Sequence, residues 1–310
     1  MGGGKETKGF WKVIMAGIIP FDDRDGQLWY DGKLVPWREA KTHVLTHGLH
    51  YASCVFEGER MYGGHIFRLD EHTKRLFESA RILGMKIPYT EEEVNEASYQ
   101  ACEVQGIKDG YIRPVVFRGS EMMAVAAQQT KIHIAIAAYP WPSYFDPKEK
   151  LKGIRLDFAE WRRPAPDTAP TKAKAAGLYM ICTMSKHVAE SKGYADAMML
   201  DYRGLIAEAT GANVFFVKEG RLHTPTPDCF LDGITRRTVM DLARKRGVEV
   251  VERAIWPEEL ESFQQMFLTG TAAEITPVQS AGPWKFEVGE LTRQLAKDYD
   301  DLVYGRIPNA

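Results

Sequence analysis

Arg163-Pro164-Ala165-Pro166-Asp167-Thr168-Ala169-Pro170-Thr171-Lys172-Ala173-Lys174-Ala175-Ala176-Gly177-Leu178-Tyr179 is the stretch on which the reading of this 310-residue chain turns. Lys174 stands among Ala173, Ala175, Ala176 and Gly177, just ahead of a helical pattern that begins near Leu178. With so little bulk around it, its amine fits a confined, partly desolvated pocket where the neutral, nucleophilic form is favoured. For an isolated lysine a solvated loop is nevertheless the commoner setting. Lys172 competes for the role, because in an extended segment both side chains point to the same side. The lysine therefore has to be judged by partners elsewhere in the chain.

Leu231-Asp232-Gly233-Ile234-Thr235-Arg236-Arg237 leads straight into a predicted helix. Gly233 lets backbone approach closely, and the amides of Ile234 and Thr235 are left unpaired at a helix start, which attracts phosphate. Leu268-Thr269-Gly270-Thr271-Ala272-Ala273-Glu274 turns out of a strand and offers small side chains, free amides and a hydroxyl to an anion. Each alone reads first as loop chemistry. Glu208 lies in Leu205-Ile206-Ala207-Glu208-Ala209-Thr210-Gly211-Ala212-Asn213-Val214-Phe215-Phe216, a setting that buries a carboxylate. A buried carboxylate needs a cationic partner. The ring nitrogen of a bound heterocycle is one such partner, and an arginine is the plainer one.

Around these segments the chain is mixed α and β. Its composition, 45% hydrophobic, supports a sizeable core. Interspersed charges, 40 basic against 42 acidic residues, speak against nucleic-acid and membrane-surface partners. Cys54, Cys102, Cys182 and Cys229 are scattered and form no CxxC, which suits reduced thiols. The charged start and the lack of apolar runs near ~18 residues predict a soluble, cytoplasmic protein. Gln27–Tyr30, Asp31-Gly32 and Lys33–Val35 read as a hairpin. Helices are expected over 70–83, with Asp70 as cap, and over 91–105. Strands are expected at 111–117 and 132–138, where isoleucines alternate with smaller or polar residues. The proline-rich run from Tyr139 to Pro147 suits neither helix nor central strand. The expected division is a smaller α+β domain over 1–140, a linker over 141–152 and a larger mixed domain over 153–310. In the larger part, strands near 154–160, 197–201, 213–217 and 248–255 mingle with helices near 178–191, 235–246 and 289–302.

Several motifs fail. His43, His47 and His50 have metal-ligand spacing on a helix, yet Thr42, Val44, Leu45 and Thr46 favour extended chain, so structural histidines are expected and no metal. Asp23, Asp25 and Gly26 imitate part of a calcium loop, but Phe21 and Gly32 stand where carboxylates are needed. No GxGxxG after a strand, GxxxxGK[ST] or GxSxG occurs.

Taken in order, the segments above resemble the class IV, or fold type IV, pyridoxal 5'-phosphate (PLP) aminotransferases, and among them the branched-chain amino-acid aminotransferases. His50 to Gly58, Phe67-Arg68, Tyr111-Ile112-Arg113-Pro114, the Lys174 stretch, Glu208 through Phe215, Gly233-Ile234-Thr235 and Gly270 to Glu274 carry the resemblance. It implies a two-domain α+β fold with PLP at the interface and Lys174 as the Schiff-base lysine that also moves protons. It further implies that Glu208 faces the pyridine nitrogen, Tyr179 the phenolic oxygen, and Arg68, Ile234, Thr235 and Thr271 the phosphate. Tyr111 with the amides of Thr271 and Ala272 would receive the substrate carboxylate, Tyr51, Phe56 and Trp141 would line a side-chain pocket, and Arg113 would meet the distal carboxylate of glutamate.

The activity so implied is ping-pong transfer between leucine, isoleucine or valine and 2-oxoglutarate, in a homodimer or larger homo-oligomer whose site a neighbouring loop completes. Ala212 stands where the family commonly has an acid, and Glu121 to Ala126 lacks a usual Gly and Pro. These departures bear on substrate choice. The rivals within the fold are a D-amino-acid aminotransferase, an (R)-selective amine transaminase and a 4-amino-4-deoxychorismate lyase. Outside it stand a silent scaffold and a histidine-based metal hydrolase.

Overall fold

The computed structural model describes residues 19–141 and 152–308. Of the expected linker over 141–152, only Trp141 and Lys152 fall among the described residues. Two β-sheets, one in each half of the chain, carry the architecture.

The first sheet opens with β1 (Gln27–Tyr30) and β2 (Lys33–Pro36), an antiparallel hairpin in which Tyr30 pairs with Lys33. Asp31 and Gly32 close it with φ of 46° and 88°, the left-handed pair that matches the twist of the flanking strands. β3 (Cys54–Phe56), β4 (Glu59–Tyr62), β5 (His65–Ile66), β6 (Gly110–Arg118) and β7 (Ile132–Tyr139) complete seven strands. Along β7, Ile134, Ile136 and Ala138 are buried while the residues between them are less so, the alternation of a strand with one face on a core.

Among the described residues three α-helices accompany this sheet: α1 (His47–Tyr51), α2 (Leu69–Ile82) and α3 (Glu91–Val104). α3 starts where Thr90 accepts from the Glu93 amide and Glu93 accepts from the Thr90 amide, a reciprocal box that uses two otherwise orphaned donors. α2 is different. Asp70 does not cap it; the cap is Arg68, in the left-handed region, and Asp70 instead accepts from Asn95 of α3 at 2.8 Å. Leu76, Ala80, Val94, Ala97 and Ala101 of these helices pack on Ile112, Val116, Ile134 and Ile136 of the sheet.

Nine strands form the second sheet: β8 (Ile154–Phe158), β9 (Asp196–Leu200), β10 (Ile206–Ala209), β11 (Asn213–Lys218), β12 (Arg221–Pro225), β13 (Val250–Arg253), β14 (Gln265–Gly270), β15 (Glu274–Ala281) and β16 (Trp284–Lys285). Their order is β10-β9-β8-β15-β14-β11-β12-β13, with β16 beside β15. Among the described residues this half also holds α4 (Met180–Ser191), α5 (Ile234–Lys245) and α6 (Glu290–Val303), with a 3-10 turn over Ala176–Tyr179 leading into α4. β11 is covered on both faces. Phe215 and Val217 join Val239, Leu242 and Leu295 from α5 and α6, whereas Val214 and Phe216 join Leu268, Val278 and Phe286.

The halves are fastened together around Lys174. Val55 of β3 forms an antiparallel bridge with Ala175, and the Phe56 amide donates to the Lys174 carbonyl at 3.2 Å. From α2, the Ser79 hydroxyl accepts the Lys174 amide at 2.9 Å.

One core group opposes stability. Glu59 of β4 is fully buried, and neither carboxyl oxygen has a well-formed hydrogen bond among the described residues. Burial, and then the nearby Glu57 charge, push its carboxyl well above the ordinary range, with Ser98 and Arg75 pulling the other way. A carboxyl raised on folding binds its proton more tightly folded than unfolded, so stability falls as pH rises from the unfolded value toward the folded one. Glu59→Gln removes that slope. Relative to wild type, the variant should gain up to about 1.4 kcal/mol per pH unit above about pH 4.3, read by calorimetry across pH; a gap independent of pH would refute it.

Candidate active site

Where the two sheets meet, a cleft is lined by Gly58, Arg75 and Tyr111 from the first half and by Lys174, Tyr179, Glu208, Asn213, Ile234, Thr235, Thr271 and Ala272, among others, from the second. Lys174 Nζ donates to Tyr179 Oη at 2.9 Å. The same amine lies 5.0 Å from the centroid of the Phe56 ring, which meets the Tyr179 ring edge-on at 4.8 Å. Lys172 is not its twin. Residues 171–173 form a turn rather than an extended run, which leaves Lys172 exposed while Lys174 enters the cleft.

Glu208 of β10 faces the same cleft. Arg163 Nε lies 3.3 Å from Glu208 Oε1, both side chains nearly buried. Thus the plainer partner, an arginine, is present. Burial pushes the Glu208 carboxyl up to about 7, while Arg163 and Lys174 pull it down. Asn213 Nδ2 donates both to Glu208 Oε2 at 3.3 Å and to the Leu231 carbonyl at 3.0 Å, tying the acid to the loop ahead of α5. Gly233 is required there, because a Cβ would come within 2.2 Å of the Asn213 side chain. Gly233 caps α5 without a side-chain hydrogen bond, so the first amides of that helix, those of Ile234 and Thr235, lie at the cleft. Thr269 adds a buried hydroxyl oxygen with no partner among the described residues.

Arg68 does not join this set. Its guanidinium pairs with Glu71 at 3.0 Å, and Glu71 in turn holds Arg237 at 2.7 Å, so Arg68 is engaged outside the cleft lining. Arg75, seven residues on, lines the cleft instead. It was missed because an arginine inside an amphipathic helix reads as solvated surface. A positional signal existed: with His72 and Ser79 it falls at i, i+3 and i+7, on one face of α2.

The substrate wall is split. Tyr111 and Ala272 line the cleft; Phe56 lies beside the Lys174 amine, and Arg113 and Trp141 lie beside Tyr111. Arg113 lies 4.9 Å from the Phe56 ring centroid and 5.2 Å from that of Tyr111, and Trp141 lies 5.1 Å from Tyr111. Gly58 permits this arrangement, since a Cβ would sit 1.8 Å from Tyr111 Oη. Tyr51 is 44% exposed and stacks on His47, off the cleft of its own chain. The expectation of extended chain fails beyond Thr46, because His47 and His50 lie in the short helix α1. Their rings bond separate carbonyls, of Ala124 and Val44, and His43 accepts from the Leu45 amide. Asp23 and Asp25 are both held by Arg38.

The family model for amino-transferase class IV matches residues 54–281. This chain belongs to the class IV aminotransferases. A branched-chain-amino-acid aminotransferase of Pseudomonas aeruginosa is 43% identical over 291 residues, covering 92% of this chain and 95% of that protein. A branched-chain aminotransferase from the thermophilic archaeon Thermoproteus uzoniensis, solved with norvaline, superposes with a TM-score of 0.86 at 37% identity, covering 90% of this chain and 95% of that one. A branched-chain amino acid aminotransferase from T.th., solved with N-(5'-phosphopyridoxyl)-L-glutamate, gives a TM-score of 0.87 at 35% identity, covering 92% of this chain and 96% of that one. Among the described residues of this class IV aminotransferase, no helix is long and apolar enough to cross a membrane.

The Arg163–Glu208 pair has a measurable signature. The Glu208 contribution to wild-type stability falls from the unfolded carboxyl value to about pH 7 and then levels, since the folded carboxyl titrates there. Arg163→Met raises that carboxyl further, so its stability should go on falling above pH 7. Urea unfolding should show a deficit of about 3–5 kcal/mol at alkaline pH, narrowing toward pH 6; a deficit of constant size would argue that the pair does not set the Glu208 carboxyl.

Proposed function

We propose that this class IV aminotransferase moves the amino group of leucine, isoleucine or valine to 2-oxoglutarate, with PLP in the cleft. The observation that carries the reading is the Lys174 amine hydrogen-bonded to Tyr179 in one cleft with Glu208 and the uncapped start of α5. The branched-chain names of the relatives support the donor, and the glutamate adduct of the last solved relative supports the acceptor.

The donor set fits the cofactor. Arg75, the amides of Ile234 and Thr235, and Thr271 would hold its phosphate, with Arg75 in the role that the family resemblance implies for Arg68. Glu208 would meet the ring nitrogen and Tyr179 the phenolic oxygen. When bound, PLP supplies the aldehyde that carries the amino group and a ring that draws electrons from the substrate Cα. Lys174 Nζ is the base that takes the Cα proton, and Tyr179 Oη holds it in position. Glu208 is poised near neutrality to share a proton with a ring nitrogen, and Arg163 keeps its charge available. Tyr111, with the amides of Thr271 and Ala272, would receive the substrate carboxylate. Phe56 and Trp141 would shape the apolar side, with Arg113 behind them for a second carboxylate. The cytoplasm suits this chemistry. Val44, Leu49 and Val125, 73%, 65% and 85% exposed, and Tyr51, 44% exposed, offer apolar side chains to a second copy of the chain.

Borohydride reduction of the PLP-loaded protein followed by peptide mapping should label Lys174; a label on Lys172 overturns the assignment. Lys174→Ala should lower kcat by about 10²–10⁴ from lost proton transfer alone. With 2-oxoglutarate as acceptor, leucine, isoleucine and valine should serve as donors. Activity confined to D-alanine and (R)-1-phenylethylamine would turn the reading to a D-amino-acid or (R)-amine enzyme.

A further inference from the structure

Behind Arg75 lies a set of polar groups that the mechanism above does not use. Glu57 is completely buried, His72 is 2% exposed, and only the Arg75 side chain, 18% exposed, reaches the cleft. Arg75 grips Glu57 through two N–H groups, Nε to Oε1 at 2.6 Å and Nη2 to Oε2 at 2.8 Å. His72 Nδ1 lies 2.8 Å from Oε2, and the Gly58 amide donates to the same oxygen at 3.2 Å. Burial pushes the Glu57 carboxyl up, but Arg75 and His72 outweigh it and hold the group well below the usual carboxylate range. Burial likewise lowers His72, so its neutral ring donates Nδ1–H to the carboxylate.

A buried ion pair of this kind contributes little stability, since desolvation offsets the attraction and well-packed apolar side chains often serve as well. Its use lies in geometry. A two-point fork fixes the plane of a guanidinium, whereas a free arginine samples many rotamers. Nη1 has no hydrogen-bond partner among the described residues, and it belongs to the charged side chain of the set that lines the cleft.

We propose that Glu57 is a positioning residue which, braced by His72, holds Arg75 so that its unshared N–H edge faces the cleft and grips the phosphate of the cofactor. This rests on the reading of Arg75 as a phosphate arm, and the experiment separates the two. Full-length protein stripped of cofactor is titrated with PLP and with pyridoxal, which lacks the phosphate, and the ratio of the two affinities is read by absorbance. Arg75→Met should shrink that ratio by roughly tenfold to a hundredfold, the worth of a charge-assisted hydrogen bond. Glu57→Gln should shrink it at least several-fold, and adding Glu57→Gln to Arg75→Met should shrink it no further. His72→Leu should follow Glu57→Gln in part, while His72→Asn, which keeps a donor near Nδ1, should restore the ratio; this pair decides the matter if Glu57→Gln does not fold. An unchanged ratio in Arg75→Met overturns the phosphate arm itself. A normal ratio in Glu57→Gln and His72→Leu beside a collapsed one in Arg75→Met overturns only the positioning role. Equal weakening of PLP and pyridoxal would also overturn it, because a merely structural defect spares neither.

Discussion

The backbone of Lys174 is held on both sides by the other half of the molecule. Its amide donates to Ser79 of α2, and its carbonyl accepts from Phe56 of β3, beside the Val55–Ala175 bridge. A side chain with four rotatable bonds can be aimed only if its root is fixed, and here the root is shared property. The cleft is therefore a consequence of docking the two sheets. Glu208 and the start of α5 belong to one half, Arg75 and Tyr111 to the other, and the lysine is where they are sewn together.

Two ion pairs border the cleft, one in each half of the chain. Arg163 faces Glu208 while Asn213 links that acid to the loop ahead of α5. Arg75 faces Glu57 with His72 as a neutral brace. Neither pair is strong evidence of stability in its own right, because removing charges from water costs about as much as pairing them returns. What each does is restrict where a polar group can point, and preorganised polar groups are what a site for a charged cofactor needs.

Much of this was legible in the chain. The signals around Lys174, Glu208 and Gly233-Ile234-Thr235 are local: small residues, an acid in an apolar run, a glycine before a helix. The Asp31-Gly32 hairpin and the helix over Glu91–Val104 are equally local, since turn chemistry and a capping box act within a few residues. What escaped depends on distant contacts. Arg68 sits beside a strand and looked available, but Glu71 takes it; Arg75 looked like surface, but α2 rolls it inward. Asn213 and Ser79 carry no signature of their own, because their importance comes from what lies opposite in space. Lys172 was a rival only under an alternation that the turn over 171–173 breaks.

α2 brings His72, Arg75 and Ser79 to one side, so one helix sets both a cation of the cleft and the anchor of Lys174. A helix turns about 100° and climbs 1.5 Å for each residue. An insertion or deletion between Arg75 and Ser79 would swing one of them off that side whatever residue was added or lost. Along this part of the helix the chain accepts new letters at Lys74 and Glu78, which face water, but not a new length. In that sense α2 works as a ruler between Arg75 and the root of Lys174.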